Sequence, residues 1–353
     1  MKKGAVKFFA VVVMFFCLVL PANAGNFKNV VVFGDSLSDS GNVSTFTHGT
    51  YPPAPYAGRF SDGPVWVEYL VKTLGISGDF CNYAFGGANT GVSNPAHDNA
   101  PGFKTQVSAY TGLLTAPAVA AFSTAFPQPK DSLFIIWIGG NDFLSADLAD
   151  PVAVATAVSD AVVNIRTGMT QLAGVGAVNF MVVNLPDLGI IPRLNQDAAL
   201  SAGGTQLSRL FNSSLGAMLD GFEADHPAVT IVRFDAFNLL NEMVNDPELG
   251  GFTNVTDKQF DQAAGTVAEG RYLFWDDIHP TTITHKILAR RAAALLEGEY
   301  IGRPRFDAAL SLKVPYAEIG NYNCSFQLDY CQDPSVDQDG IYWKLDISSL
   351  IWE

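Results

Sequence analysis

Five short, mostly apolar runs constrain what this chain can fold into: residues 29–33, 82–85, 132–138, 178–183 and 229–234. They are largely continuous rather than alternating, the pattern of strands covered on both faces. Stretches of helical spacing separate them and follow the last: 62–74, 103–122, 151–173, 198–223, 237–244 and 281–296. In the first of these Trp66, Leu70 and Leu74 share a face, and Gly75 is the stop. Strand and helix alternating in this way predict an α/β fold, with a parallel sheet, right-handed crossovers and helices on both faces. The chain has 353 residues, of which 48% are apolar, enough for a sizeable core. Residues 42–63, rich in Pro, Gly, Tyr and Thr, read as a loop that shapes the mouth of a site; 250–270 reads as polar and irregular.

The two ends read differently. Met1-Lys2-Lys3 is basic, Phe8 to Leu20 is apolar but short for a bilayer span, and Ala22-Asn23-Ala24 has the form of a cleavage site. Residues 1–24 are therefore expected to be a signal peptide cut after Ala24, with the remainder secreted or periplasmic. The main domain is expected over 25–304, followed by an appendage of unassigned role over 305–353. In an exported chain Cys324 and Cys331 are spaced for a small disulfide loop, and Cys81 reads as a buried thiol. There is no Cys-x-x-Cys, and the histidines are scattered apart from His279 and His285, so neither a metal nor another cofactor is expected. A formal charge of −14 argues against nucleic acid as a partner. It leaves open a small-molecule or lipid ester, reached by apolar contact or at a membrane surface. Oligomeric state is not readable.

The chemistry gathers where strands end. Gly34-Asp35-Ser36, Gly86-Gly87 and Gly140-Asn141-Asp142 each follow a strand, and in a parallel sheet such ends lie along one edge. Asp276-Asp277-Ile278-His279 precedes the last helix and can reach the same edge. Acyl transfer needs a nucleophile, a base, an orienter for the base and donors for the oxyanion. Ser36 is the candidate nucleophile and His279 the candidate base. Asp276, three residues before His279, can bring its carboxylate to the imidazole. The candidate oxyanion donors are the Ser36 amide, an amide of the Gly86-Gly87 turn and the Asn141 side chain. Each residue also has an ordinary role open to it. Ser36 could cap a helix, Gly87 make a turn, Asn141 and Asp142 serve as turn and cap, and Asp276 and Asp277 cap the helix after Pro280. Their joint occurrence, in order and at strand ends, is what favours catalysis. His285 reads as a packing residue, and His48, His97 and His226 as solvated. The aromatic run Tyr51 to Phe60 lines a pocket or merely packs a loop.

These residues resemble the SGNH/GDSL hydrolases. The carrying motifs are Phe33-Gly34-Asp35-Ser36-Leu37-Ser38-Asp39-Ser40-Gly41-Asn42, Gly58-Arg59-Phe60-Ser61-Asp62-Gly63-Pro64-Val65-Trp66, Asn82-Tyr83-Ala84-Phe85-Gly86-Gly87-Ala88, Gly139-Gly140-Asn141-Asp142, Asn184-Leu185-Pro186-Asp187-Leu188-Gly189 and Phe274-Trp275-Asp276-Asp277-Ile278-His279-Pro280-Thr281. Together they span about residues 29–297, and the resemblance is nearest to the exported bacterial lipase, phospholipase and acyltransferase branch. It implies a flavodoxin-like three-layer α/β/α sandwich with a five-stranded parallel sheet. It also implies Ser36, Asp276 and His279 as catalytic residues, and an oxyanion hole of Ser36, Gly87 and Asn141. It selects Gly87 over Gly86 and Asp276 over Asp277; the tail after about residue 304 is outside the family core. The expected activity is a secreted carboxylic-ester hydrolase working through an acyl-enzyme on Ser36. The rivals are a phospholipase or glycerophospholipid acyltransferase using the same intermediate, a polysaccharide acetylesterase, and a non-catalytic binding protein on the same fold.

Overall fold

The computed structural model describes residues 27–76, 78–115, 128–144 and 150–298. The central sheet has five strands: β1 Asn29–Gly34, β2 Phe80–Asn82, β3 Ser132–Trp137, β4 Asn179–Val183 and β5 Thr230–Phe234. Their spatial order is β2-β1-β3-β4-β5, and every pair is parallel. This is the doubly wound order whose switch point lies between β1 and β3. Every residue of β1 and of β3 is buried, which explains why both read as unbroken apolar runs.

The principal helices are α1 Trp66–Thr73, α2 Phe103–Thr115, α3 Pro151–Gly174, α4 Ala198–Asp225, α5 Ala236–Asn245 and α6 Thr282–Leu296. α1 packs on α6, while α3 packs on both α2 and α4, so the sheet lies between helical layers. Their starts follow from side-chain caps: Asp150 before α3, Asp197 before α4, Asp235 before α5 and Thr281 before α6 each accept from amides of the first turn. The core contains Val30–Phe33 of β1, Leu133–Trp137 of β3 and Phe180–Val183 of β4, with Trp66 edge-on to Trp137.

Four expectations need correcting. The second strand ends at Asn82 rather than beginning there, because Asn82 Oδ1 accepts from the Ala84 amide and closes an Asx turn. Even so, Tyr83 N and Phe85 N still donate to Val32 O and Gly34 O, so the segment runs on beside β1. The segment 42–63 begins with a short helix, Asn42–Phe46. The polar stretch 250–270 contains three strands, β6 Asn254–Lys258, β7 Phe260–Asp261 and β8 Thr266–Val267; β6 pairs with β9 Tyr272–Phe274, and β7 with β8. Cys81 is partly buried rather than buried. The expected signal peptide, the appendage and the Cys324–Cys331 pair lie outside the described residues.

Candidate active site

β1 delivers Ser36. Gly34 closes the strand where a Cβ would collide with the Trp137 carbonyl of β3, so glycine is required by the close approach. The buried Gln106 side chain clamps Gly34 on both sides, accepting from its amide at 3.0 Å and donating to its carbonyl at 2.9 Å. The next turn is held by Asp35, whose carboxylate accepts from the Leu37 amide at 3.1 Å.

His279 arrives from the segment between β9 and α6. Its Nε2 lies 2.8 Å from Ser36 Oγ, and its Nδ1 lies 2.8 Å from Asp276 Oδ2. Asp276 Oδ1 takes the Ile278 and His279 amides at 2.8 and 2.7 Å, so the carboxylate also shapes the turn that carries the imidazole. Burial acts against the Asp276 charge, but His279 and these hydrogen bonds outweigh it and hold the carboxyl at about 2. Burial likewise pulls His279 down, yet the Asp276 charge and hydrogen bond leave its pKa above the ordinary histidine value. An ionised Asp276 fixes the proton of neutral His279 on Nδ1, which leaves Nε2 to accept from Ser36. Asp277, the neighbouring carboxylate, pairs instead with Arg193 at 2.9 Å and is partly exposed.

The Gly86-Gly87 turn is tied to both neighbours. Asp39 Oδ2 accepts the Gly86 amide at 2.9 Å, while Asp39 also takes the Gly41, Asn42 and Val43 amides. Asn141 Nδ2 gives one of its two hydrogens to Ala88 O at 2.8 Å. Gly87 has φ +78, and a Cβ there would collide with Ala96 and Asn94 of the loop folded over it. Burial raises the Asp39 carboxyl above its ordinary value despite four amide donors. It raises Asp142 as well, whose oxygens accept from Thr90.

Beside Ser36 opens a cleft continuous with solvent. Its walls are mainly apolar and include Leu144, Leu185, Leu188, Ile191, Leu240 and Phe274; Ser36 and Asn141 stand among the lining residues. The aromatic run 51–60 is not part of this wall. Its Phe60 ring instead lies 5.2 Å from the His279 imidazole. Tyr51 packs between Phe60 and His97, so His97 is partly buried and its pKa is lowered by burial, contrary to a solvated reading. His226 is also partly buried, stacked on Phe222 at 4.1 Å, while His48 is exposed. His285 is fully buried and accepts the Trp66 amide on Nδ1 at 3.2 Å, a packing role. Sequence reasoning did not single out Gln106, Asn94 or the walls of the cleft. Nor did it isolate Tyr56, whose hydroxyl donates to Asp276 Oδ2 at 2.7 Å. Among the described residues no group of three or more His, Cys, Asp or Glu is placed to hold a metal ion.

A nucleophile, base and acid in one hydrogen-bonded line, beside an apolar cleft, can transfer an acyl group. Comparison with known proteins agrees in kind. The model of the GDSL-like lipase/acylhydrolase family matches residues 30–292. The thermolabile hemolysin of Vibrio parahaemolyticus is 29% identical over 284 residues, covering 75% of this chain and 62% of the hemolysin. The phosphatidylcholine-sterol acyltransferase of Aeromonas hydrophila is 28% identical over 327 residues, covering 78% of this chain and 91% of that enzyme. An acetylxylan esterase structure from Geobacillus stearothermophilus superimposes with a TM-score of 0.40 at 16% identity, over 78% of this chain and 96% of that one. At that distance neither substrate nor site carries over.

Proposed function

The chain belongs to the GDSL-like lipase/acylhydrolase family, and from that premise we propose that it hydrolyses carboxylic esters of apolar acyl chains through an acyl-enzyme on Ser36. The observation that carries this reading is the line Asp276–His279–Ser36 ending at the mouth of the apolar cleft. His279 Nε2 takes the Ser36 proton as Oγ attacks the ester carbonyl. The oxyanion is received by the Ser36 and Gly87 amides and the Asn141 side chain; losing one such donor typically costs ~10²–10³ in rate. His279 then gives its proton to the leaving alcohol, and water repeats the steps on the acyl-enzyme. The acyl chain lies along Leu144, Leu185, Leu188 and Leu240.

A second outcome follows from the same intermediate if an alcohol reaches it before water. The match across 91% of an acyltransferase favours testing for this. Export of the mature chain, cut after Ala24, belongs to the same proposal, and sequencing the mature N-terminus checks it.

The test is a panel of p-nitrophenyl acetate, butyrate and octanoate, phosphatidylcholine vesicles and acetylated xylan, with and without a sterol acceptor. The octanoate and the phospholipid are expected to give higher kcat/KM than the acetate. Activity on acetylated xylan alone, or full activity in Ser36→Ala, overturns the reading.

A further inference from the structure

Asp276 is not shared by His279 alone. Its Oδ2 takes two donors, the imidazole Nδ1 at 2.8 Å and the phenol of Tyr56 at 2.7 Å, from a residue 220 positions earlier in the chain. We propose that Tyr56 is a positioning residue of the triad, whose hydroxyl fixes the Asp276 carboxylate and tempers the basicity of His279. This rests on the acyl-enzyme reading above.

The physical argument concerns one oxygen. Oδ1 is committed to the Ile278 and His279 amides, which set the turn. The attraction that stabilises protonated His279 therefore comes mainly through Oδ2. A phenol donating to the same oxygen draws part of its charge away from the imidazolium. The base is thereby kept weaker than Asp276 alone would make it, and more of it is neutral and able to accept the Ser36 proton at a given pH. The Tyr56 hydroxyl holds its proton firmly, since burial and the Asp276 charge push its pKa well above the usual phenol value, so it remains a donor throughout.

The ring is placed rather than dangling. It stands edge-on to Phe260 at 5.5 Å and to Trp275 at 6.0 Å, and these two rings stack on each other at 5.4 Å. Trp275 directly precedes Asp276, so the aromatic cluster is joined through the backbone to the carboxylate. The loop carrying Tyr56 is also fastened to the catalytic segment independently of its hydroxyl. Ser61 Oγ donates to Pro280 O at 2.9 Å, and Asp62 Oδ1 accepts the Thr282 amide at 2.6 Å. Removing the hydroxyl should therefore leave the loop in place.

The charged and titratable groups acting on this pair come from several elements. His279 feels Asp276, Asp277 and Asp35, and its charge acts in turn on His285. Tyr56 feels Asp276, Asp277 and Tyr51. Asp277 acts on both at a distance, but among the described residues Asp276 alone is hydrogen-bonded to both, so the effect of Tyr56 on His279 should pass through it.

The test is Tyr56→Phe, which keeps the ring and removes the donor, measured on the full chain. The acid limb of kcat/KM against pH reports the base in the free enzyme. It is expected to move upward by about half to one pH unit, with kcat at the plateau falling by roughly three- to tenfold and KM little changed. Proton NMR supplies a readout that needs no substrate. The low-field resonance of the His279 Nδ1–H should shift in Tyr56→Phe, and its titration midpoint should rise with the acid limb. A limb and a resonance that titrate as in the unmodified protein, or a loss confined to thermal midpoint and KM, overturn the proposal and leave Tyr56 as a packing residue. If the unmodified protein shows no ester hydrolysis while the resonance still moves, the activity reading has failed and the hydrogen-bond relation stands.

Discussion

Asp276 and Asp35 are both buried carboxylates that act on the same imidazole, and burial pushes both upward, yet their protonation ends at opposite extremes. Asp276 accepts four donors, two amides, the His279 ring and the Tyr56 hydroxyl, and is held at about 2. Asp35 takes the Leu37 amide, and burial pushes it up to about 7 even though His279 pulls the other way. The depth of burial is similar, at 7% and 3% exposure, so the difference is the His279 ring hydrogen-bonded directly to Asp276; Asp39, raised despite four amide donors, shows that amides alone do not suffice. A related contrast divides His279 from the fully buried His285. His279, beside Asp276, has its pKa raised; His285, six positions on in α6, is pushed down to about 3. Charge in this site exists where it is paired, and burial alone produces neutral groups.

Exchanging each carboxylate for its amide tests that contrast most severely. Asp276→Asn removes the charge that fixes the His279 tautomer, and a loss of ~10⁴ in kcat is expected. Asp35→Asn keeps an acceptor for the Leu37 amide and should cost at most about tenfold, since that side chain holds a turn and is not hydrogen-bonded to the imidazole. Steady-state rates on one p-nitrophenyl ester separate the two. Equal losses would mean that Asp35 shares the charge on the imidazole, and the contrast would collapse.

The pH dependence of stability sharpens it. A carboxyl raised from 3.8 to about 7 binds its proton more tightly folded than unfolded. Its contribution is complete at low pH, declines as pH rises through that interval and is gone above it. Asp35→Asn should therefore match the unmodified protein near about pH 4 and exceed it by ~2 kcal/mol at about pH 8, read from urea midpoints. Asp276 runs the other way: its folded pKa is depressed, so its stabilising contribution is present above 3.8 and fades as pH falls toward about 2. A stability difference for Asp35→Asn that ignores pH would show that the carboxylate is already paired.

Much of this arrangement was legible beforehand, and the reasons are particular. β1, β3 and β4 are buried nearly throughout, so their sequences had to be continuous and apolar. Helical spacing placed the starts of α4 and α6 within one residue, although their caps, Asp197 and Thr281, were not singled out. β6 and β7 escaped notice because their pairing partners, not their composition, make them strands. In the site, Ser36, Asp276 and His279 could be found because each sits in a local motif. The structure brings these three into one hydrogen-bonded line. Tyr56 and Gln106 could not be found in that way. Their partners lie 220 and 72 positions away, and no local pattern distinguishes a tyrosine in an aromatic loop, or a glutamine on a helix, that has such a partner.

The smallest expected effect concerns His285 and isolates burial from catalysis. Nδ1 accepts the Trp66 amide, and Nε2 is buried with no partner among the described residues, so the ring is neutral with its proton on Nε2. Burial first, and the His279 charge second, oppose a second proton. The unfolded chain takes that proton near the ordinary value of 6.5, whereas the folded chain refuses it until about 3. Stability from this residue is therefore complete above 6.5 and is lost as pH falls through that window. His285→Gln keeps an acceptor for Trp66 and cannot titrate. It should be about as stable as the unmodified protein near about pH 8 and more stable by ~1 kcal/mol near about pH 5, with kcat unchanged. Urea unfolding at the two pH values checks this. Curves that stay parallel would mean that His285 carries its proton in the folded state, and pairing would then not be what separates it from His279.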